Sequence, residues 1–360
     1  MQSMPSPLKI GVYALSRNEE KHCEAWAKSC AGADCRVVTD TGSTDGTVAA
    51  LEGSGVTVVR GNVVPWRWDD AHNLSLHHLP SDLDVAIRLD LDERLQSGWR
   101  EAIERAWGDP VNCLSYRYVW SFKPDGSPGM VFNCDRVHSR AGFRWAQATH
   151  EGLVCWTGEK VMRFAEGLEV HHHREPGKSH QSDLFLLEVA ANEAPHDARA
   201  RWYLAREMDY RGDPRAPAEF ARYLSMRGGF YSERAYARRQ LWRLTQDATH
   251  LRAAVKEAPD EPDGWELIAL RSYHLQEWEP CLEAARKAIA AAGPPTHATD
   301  PDSRGRAYDL ASVAAWNLGN VPEALALGRE ALARLPGDER IRKNVAAMEA
   351  VANGTAEAVA

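Results

Sequence analysis

The chain has 360 residues, of which 26% are charged and 44% hydrophobic, with a formal net charge of −8, the composition of a soluble protein with room for two cores. That balance excludes a surface coated in positive charge, although a local basic patch is compatible with it. No apolar run approaches the roughly 18 residues of a membrane span; Met1-Gln2-Ser3-Met4-Pro5-Ser6-Pro7 lacks the regions of a signal peptide, and seven cysteines without a C-x-x-C pair suit core thiols of a reducing, cytoplasmic setting.

Strand signals at residues 10–15, 36–39, 57–59 and 85–89 alternate with helical stretches at 18–31, 44–52 and 69–78, which predicts βαβ units and a parallel sheet. Three of these strands end in polar groups. The first opens into Ser16-Arg17-Asn18-Glu19-Glu20, the second into Asp40-Thr41-Gly42-Ser43-Thr44-Asp45, and the fourth into Asp90-Leu91-Asp92-Glu93. Ligands of open α/β sheets bind outside the carboxyl ends of the strands, and two carboxylates one residue apart suit a shared divalent cation.

A helix is expected near 97–107, and then the pattern changes. Leu114 to Trp120 and Met130 to Asn133 flank Pro124-Asp125-Gly126-Ser127-Pro128-Gly129, a hairpin signal. Further short strands are expected at 143–146, 152–156 and 168–173, the last ending in His171-His172-His173. From Ser182 onward helix dominates. Tyr308, Ala311, Gly319, Ala324, Ala331 and Pro336 fall at the offsets of a tetratricopeptide unit, with degenerate copies through Trp265, Ala269, Ala285 and Ala288 and through Leu204, Ala205 and Gly212. The segment 293–301 is read as a break between two copies.

The order and spacing of Arg17-Asn18-Glu19, Asp40 to Asp45, Asp69-Asp70-Ala71-His72-Asn73 and Asp90 to Glu93 resemble family 2 glycosyltransferases. The resemblance implies a GT-A fold, a Rossmann-like α/β nucleotide-sugar domain over 1–180, followed by an all-α tetratricopeptide-like domain over 181–350 and a frayed tail over 351–360. It further implies a metal-dependent inverting transfer from a nucleotide sugar, a UDP-sugar by resemblance alone, with Mn²⁺ or Mg²⁺. Asp92, Asp90 and His172 are the expected metal residues. Leu15, Asn18, Asp40, Arg67, His72 and Asp90 are the expected nucleotide contacts. Glu151 is the expected base, with His150 orienting it or binding acceptor. Thr41 stands where relatives often carry a second Asp, and His72 where they often carry Arg, so the base bound and the neutralisation of phosphate stay open.

For the acceptor, residues 199–243 hold eleven arginines, no lysine and five acidic residues, interleaved with aromatics, a combination that can grip phosphates and stack on bases. The helical tail and the Pro65-Trp66-Arg67-Trp68-Asp69-Asp70-Ala71 segment are similar to DNA-modifying glycosyltransferases of bacteriophages and viral metagenomes, which would work in the host cytoplasm. That puts 5-hydroxymethylpyrimidine in DNA slightly ahead of protein, peptide or surface glycan. The alternatives are a non-catalytic helical-repeat module, which would hold a protein partner, and a nucleotidyltransferase, for which Leu15-Ser16-Arg17-Asn18 is a poor phosphate loop.

Overall fold

The computed structural model describes residues 7–173, 184–291 and 303–354. The chain divides into two compact units, Met1–Ala190 and Ala191–Ala360.

The first unit runs β1 (Ile10–Ser16), α1 (Glu20–Ser29), β2 (Cys35–Asp40), α2 (Thr47–Gly53), β3 (Thr57–Arg60), α3 (Trp68–His77), β4 (Val85–Arg88), β5 (Glu93–Leu95), α4 (Trp99–Ala106), β6 (Cys113–Val119), β7 (Val131–Ser139), β8 (Phe143–Ala146), β9 (Gly152–Cys155) and β10 (Met162–His172). Eight strands form one mixed sheet in the order β3-β2-β1-β4-β7-β6-β10-β5, while β8 and β9 pair separately. The strands β3, β2, β1 and β4 are mutually parallel; β7 is antiparallel to both β4 and β6.

Side-chain alternation along β1 builds a core on each sheet face. Ile10, Val12 and Ala14 join Trp26 of α1 and Ile103 of α4. Tyr13 joins Val37, Leu76, Leu79 and Leu83 under α3. Gly11 shares that second face because a Cβ there would stand 2.4 Å from Leu83 Cδ1. The Trp26 indole also donates to the Leu89 carbonyl at 2.9 Å, which pins α1 to the strand that carries the two carboxylates. In register, Ser16 pairs with Asp40, so the ends of β1 and β2 lie level and their loops emerge side by side.

Helix α5 (Leu184–Glu193) begins with Leu186 and Ala190 packed on Ala148 and Trp66. The division between units therefore falls after the change in composition at Ser182, because the first turns of the helical region cover an apolar spot on the α/β unit. In the second unit, α6 (Ala198–Tyr210), α7 (Ala216–Ser225), α8 (Tyr231–Thr245), α9 (Thr249–Glu257), α10 (Pro262–His274), α11 (Trp278–Ala290), α12 (Ser303–Asn317), α13 (Val321–Arg334) and α14 (Glu339–Ala352) follow, each packing on its neighbours as helical hairpins. Ala269, Ala285, Ala288, Ala311, Ala324 and Ala331 are all fully buried, small residues that let helices approach closely. Gly212 and Gly319 end α6 and α12 with φ of 66° and 79°, the left-handed conformation that glycine adopts without strain. Segment 293–301 and the end of the tail lie outside the described residues. No helix among the described residues is long and apolar enough to cross a membrane.

Candidate active site

A pocket of about 480 Å³ opens at the carboxyl ends of the parallel strands, lined by Leu15, Ser16, Arg17, Glu19, Thr41, Trp66, Trp68, His72, Arg88, Asp90, Leu91 and Asp92. Of the residues expected from sequence, Leu15, His72, Asp90 and Asp92 are in its lining. His172 and Glu151 stand just behind that lining, through Asp92 and through Arg88 respectively.

The β1 and β2 loops are braced against each other. Asn18, held at a φ of 56°, accepts from the Thr44 amide at 2.8 Å and gives its own amide to Ser43 Oγ at 2.9 Å. Asp40 is buried and accepts from the amides of Gly42 and Ser43 and from the hydroxyls of Ser16 and Ser43. Burial alone would raise its pKa, but these donors hold it below the ordinary aspartate value. As placed, both oxygens serve the turn, and Thr41 faces the pocket in place of Asp40. Arg67 is likewise engaged: its guanidinium pairs with Asp69 at 2.9 Å and Asp70 at 3.5 Å at the start of α3, outside the pocket lining.

A largely buried charge cluster that sequence reading missed runs from the pocket lining inward. Arg88 points its guanidinium at Asp90 (3.2 Å) and Glu151 (2.7 Å) and over the Trp145 ring at 4.7 Å. Arg136 of β7 reaches Asp90 at 3.1 Å and Glu93 at 2.8 Å. Glu93 also accepts from the Tyr118 hydroxyl and from the Asp90 amide at 2.9 Å. Burial raises the Glu93 carboxyl against the pull of Arg136, whereas the two arginines more than offset burial at Asp90 and lower it. Burial acts upward on Glu151 too, yet Arg88 and His72 bring it down to about 2.

Asp92 is placed differently: its carboxylate faces an imidazole rather than the two arginines, with His172 Nε2 at 3.3 Å. His172 Nδ1 lies 3.0 Å from the Trp120 carbonyl and donates to it, while the Asp92 carboxylate raises the imidazole's proton affinity against its burial; a bound cation would displace the Nε2 proton and take that lone pair. A backbone carbonyl behind the distal nitrogen is the usual support of a metal-binding imidazole. Among the described residues no three His, Cys, Asp or Glu side chains gather as a metal site. The expected trio is thus a pair: Asp90 is turned to its arginines, while Asp92 and His172 fit a cation that takes its other ligands from phosphate and water, as Mg²⁺ and related ions commonly do. His150 is exposed, with a φ of 51°, in the turn before β9 and outside the pocket lining.

In the second unit the arginines between 199 and 243 are largely paired. Arg201 meets Glu219, Arg211 meets Glu207, Arg215 meets Asp213, Arg234 and Arg238 share Glu257, Arg239 meets Glu261, Arg243 meets Asp209, and Arg199 lies 3.9 Å from Glu233. Arg206, Arg222 and Arg227 have no ion-pair partner among the described residues.

No family model matches the chain, and no curated protein matches it. Among solved structures the chain is similar to MamA (16% identity, 42% of this chain and 86% of that one, TM-score 0.34). It is also similar to TTC0263, a thermophilic tetratricopeptide protein of Thermus thermophilus (22%, 46% and 88%, 0.30), and to YrrB, a tetratricopeptide protein with an unusual peptide-binding site (14%, 48% and 86%, 0.39). With TM-scores this low, the reading of the second unit rests on its own hairpins.

Proposed function

We propose that the α/β unit is a GT-A-type glycosyltransferase domain that transfers a sugar, with inversion, from a nucleotide sugar to a hydroxyl of a macromolecular acceptor. The observation that carries this reading is the Asp92–His172 pair at the wall of a pocket on the strands' carboxyl ends, with His172 oriented from behind by the Trp120 carbonyl. Asp92 and His172 would hold Mn²⁺ or Mg²⁺, the imidazole favouring Mn²⁺. The bound cation would offset charge gathering on the departing diphosphate, worth several kcal/mol in a partly dry cleft. Leu15, Ser16 and Thr41 would form the nucleoside end. Arg88, held over Trp145 by two carboxylates, would form the floor beneath the sugar. UDP is favoured as the nucleotide by resemblance alone.

The reading is tested by calorimetry of UDP- and GDP-sugars with Mn²⁺ and with chelator. Saturable, metal-dependent binding supports it; absence of binding with either Mn²⁺ or Mg²⁺ leaves the second reading, a helical-repeat binding module, which the packed helical hairpins of the described residues favour. For the acceptor, 5-hydroxymethylpyrimidine DNA keeps Arg206, Arg222 and Arg227 as its available cations. Mass spectrometry of nucleosides after incubation with such DNA separates it from protein and glycan acceptors.

A further inference from the structure

We infer that His72 is the group that takes the proton from the acceptor hydroxyl, with Glu151 as its positioning partner. The inference rests on the transferase reading and goes beyond it by reassigning the proton transfer.

His72 projects from the first turns of α3 and lines the pocket, yet is only 1% exposed. Both ring nitrogens are buried without a well-formed hydrogen bond. A buried polar group left unsatisfied is costly, and such groups concentrate where a ligand or a catalytic step completes them. The ring is fixed from both sides, offset-stacked on Trp68 at 6.1 Å and tilted on Trp145 at 5.6 Å. Nε2 lies 3.3 Å from Glu151 Oε1, a contact of the kind that is long in a resting site and tightens with substrate.

Glu151 itself is a weak base as placed, because Arg88 donates to the same oxygen at 2.7 Å. The arrangement suits a carboxylate that orients an imidazole and stabilises its cation. An anionic Glu151 draws the proton of neutral His72 to Nε2 and leaves the Nδ1 lone pair to accept. In the step, the acceptor oxygen forms a bond to the anomeric carbon while its proton passes to His72 Nδ1. The bond from that carbon to the diphosphate oxygen breaks, and the electron pair leaves on the diphosphate.

The groups facing His72 set its proton affinity. Burial and Arg88 on β4 lower it, while Asp90 after β4 and Glu151 before β9 raise it, with a net value below the ordinary histidine. A base in that range is neutral and competent at physiological pH, and its activity falls on acidification.

The test measures metal-dependent turnover of UDP-glucose, UDP-N-acetylglucosamine and GDP-mannose, with water or 5-hydroxymethylcytosine DNA as acceptor, alongside donor binding by calorimetry. His72→Asn should lower turnover about 10²–10⁴-fold while saturable, metal-dependent donor binding is retained. In the wild type, kcat/KM should fall below neutrality. In Glu151→Gln that acid limb should move to lower pH, because the carboxylate that raises the His72 pKa is gone; a merely structural role for either residue would leave the limb in place. Near-normal turnover in His72→Asn, with Glu151→Gln inactive, overturns the inference and returns the base to Glu151. Donor binding without turnover in the wild type overturns it while sparing the nucleotide-sugar pocket, whereas absence of donor binding removes the transferase reading itself.

Discussion

The two units spend the same residue types in opposite ways. In the α/β unit, Arg88 and Arg136 converge with Asp90, Glu93 and Glu151 on one largely buried patch at a pocket. In the helical unit a larger number of arginines is spread over several carboxylates along the helices, with Arg234 and Arg238 sharing one. Convergence, rather than abundance, distinguishes the α/β unit. The arginine-rich helical segment looks basic in sequence because its partners Glu257 and Glu261 lie just past the counted window.

The comparison is sharpened most by Asp92→Ala. This variant should lose metal-dependent turnover by at least about 10³-fold, since several kcal/mol of charge stabilisation depends on the site. Its melting temperature should stay near wild type, because the side chain is partly exposed. A turnover assay with matched thermal denaturation reads both.

Next in size is Arg88→Leu, which would leave Glu151 without its arginine and Asp90 with Arg136 alone. Removing one partner of a buried pair costs roughly 3–5 kcal/mol, visible in chemical denaturation. The helical counterpart, Arg329→Met, breaks an exposed pair with Glu349 and should change stability by no more than about 1 kcal/mol. Equal effects would erase the contrast between the units.

Acid should also separate them. The Glu151 carboxyl sits near 2 in the folded chain against an ordinary 4.5, so its stabilisation is complete above the unfolded value and is lost as pH falls from about 4.5 towards about 2. Melting temperatures taken through that window should fall less steeply for Glu151→Gln than for the wild type.

The smallest effect concerns DNA. If the helical unit contacts a nucleic acid, Arg206→Ala, Arg222→Ala and Arg227→Ala together should reduce the slope of log affinity against log salt by up to about three. An unchanged slope places any DNA contact elsewhere.

The strand ends were legible in the sequence because a parallel sheet writes its apolar runs plainly, and Asp92 and His172 could be paired through resemblance. The roles of Arg88, Arg136, Tyr118 and Trp120 were not, since each depends on strand neighbours far apart in the chain: β7 lies beside β4, and β10 pairs with both β6 and β5. One signal was available. Arg88 interrupts an apolar strand, Val85-Ala86-Ile87-Arg88-Leu89, and a charge inside a buried strand requires a carboxylate nearby. Asp40 shows the converse, a motif residue whose oxygens the local turn consumes.

Calorimetric titration of the full chain with UDP-sugars in Mn²⁺, repeated in chelator and with Asp92→Ala, decides whether the pocket is a metal-assisted nucleotide-sugar site. Saturable binding in Mn²⁺ that disappears in both controls is the predicted result. Binding that is indifferent to metal and to Asp92 would contradict the assignment of Asp92 and His172, and with it that reading of the pocket.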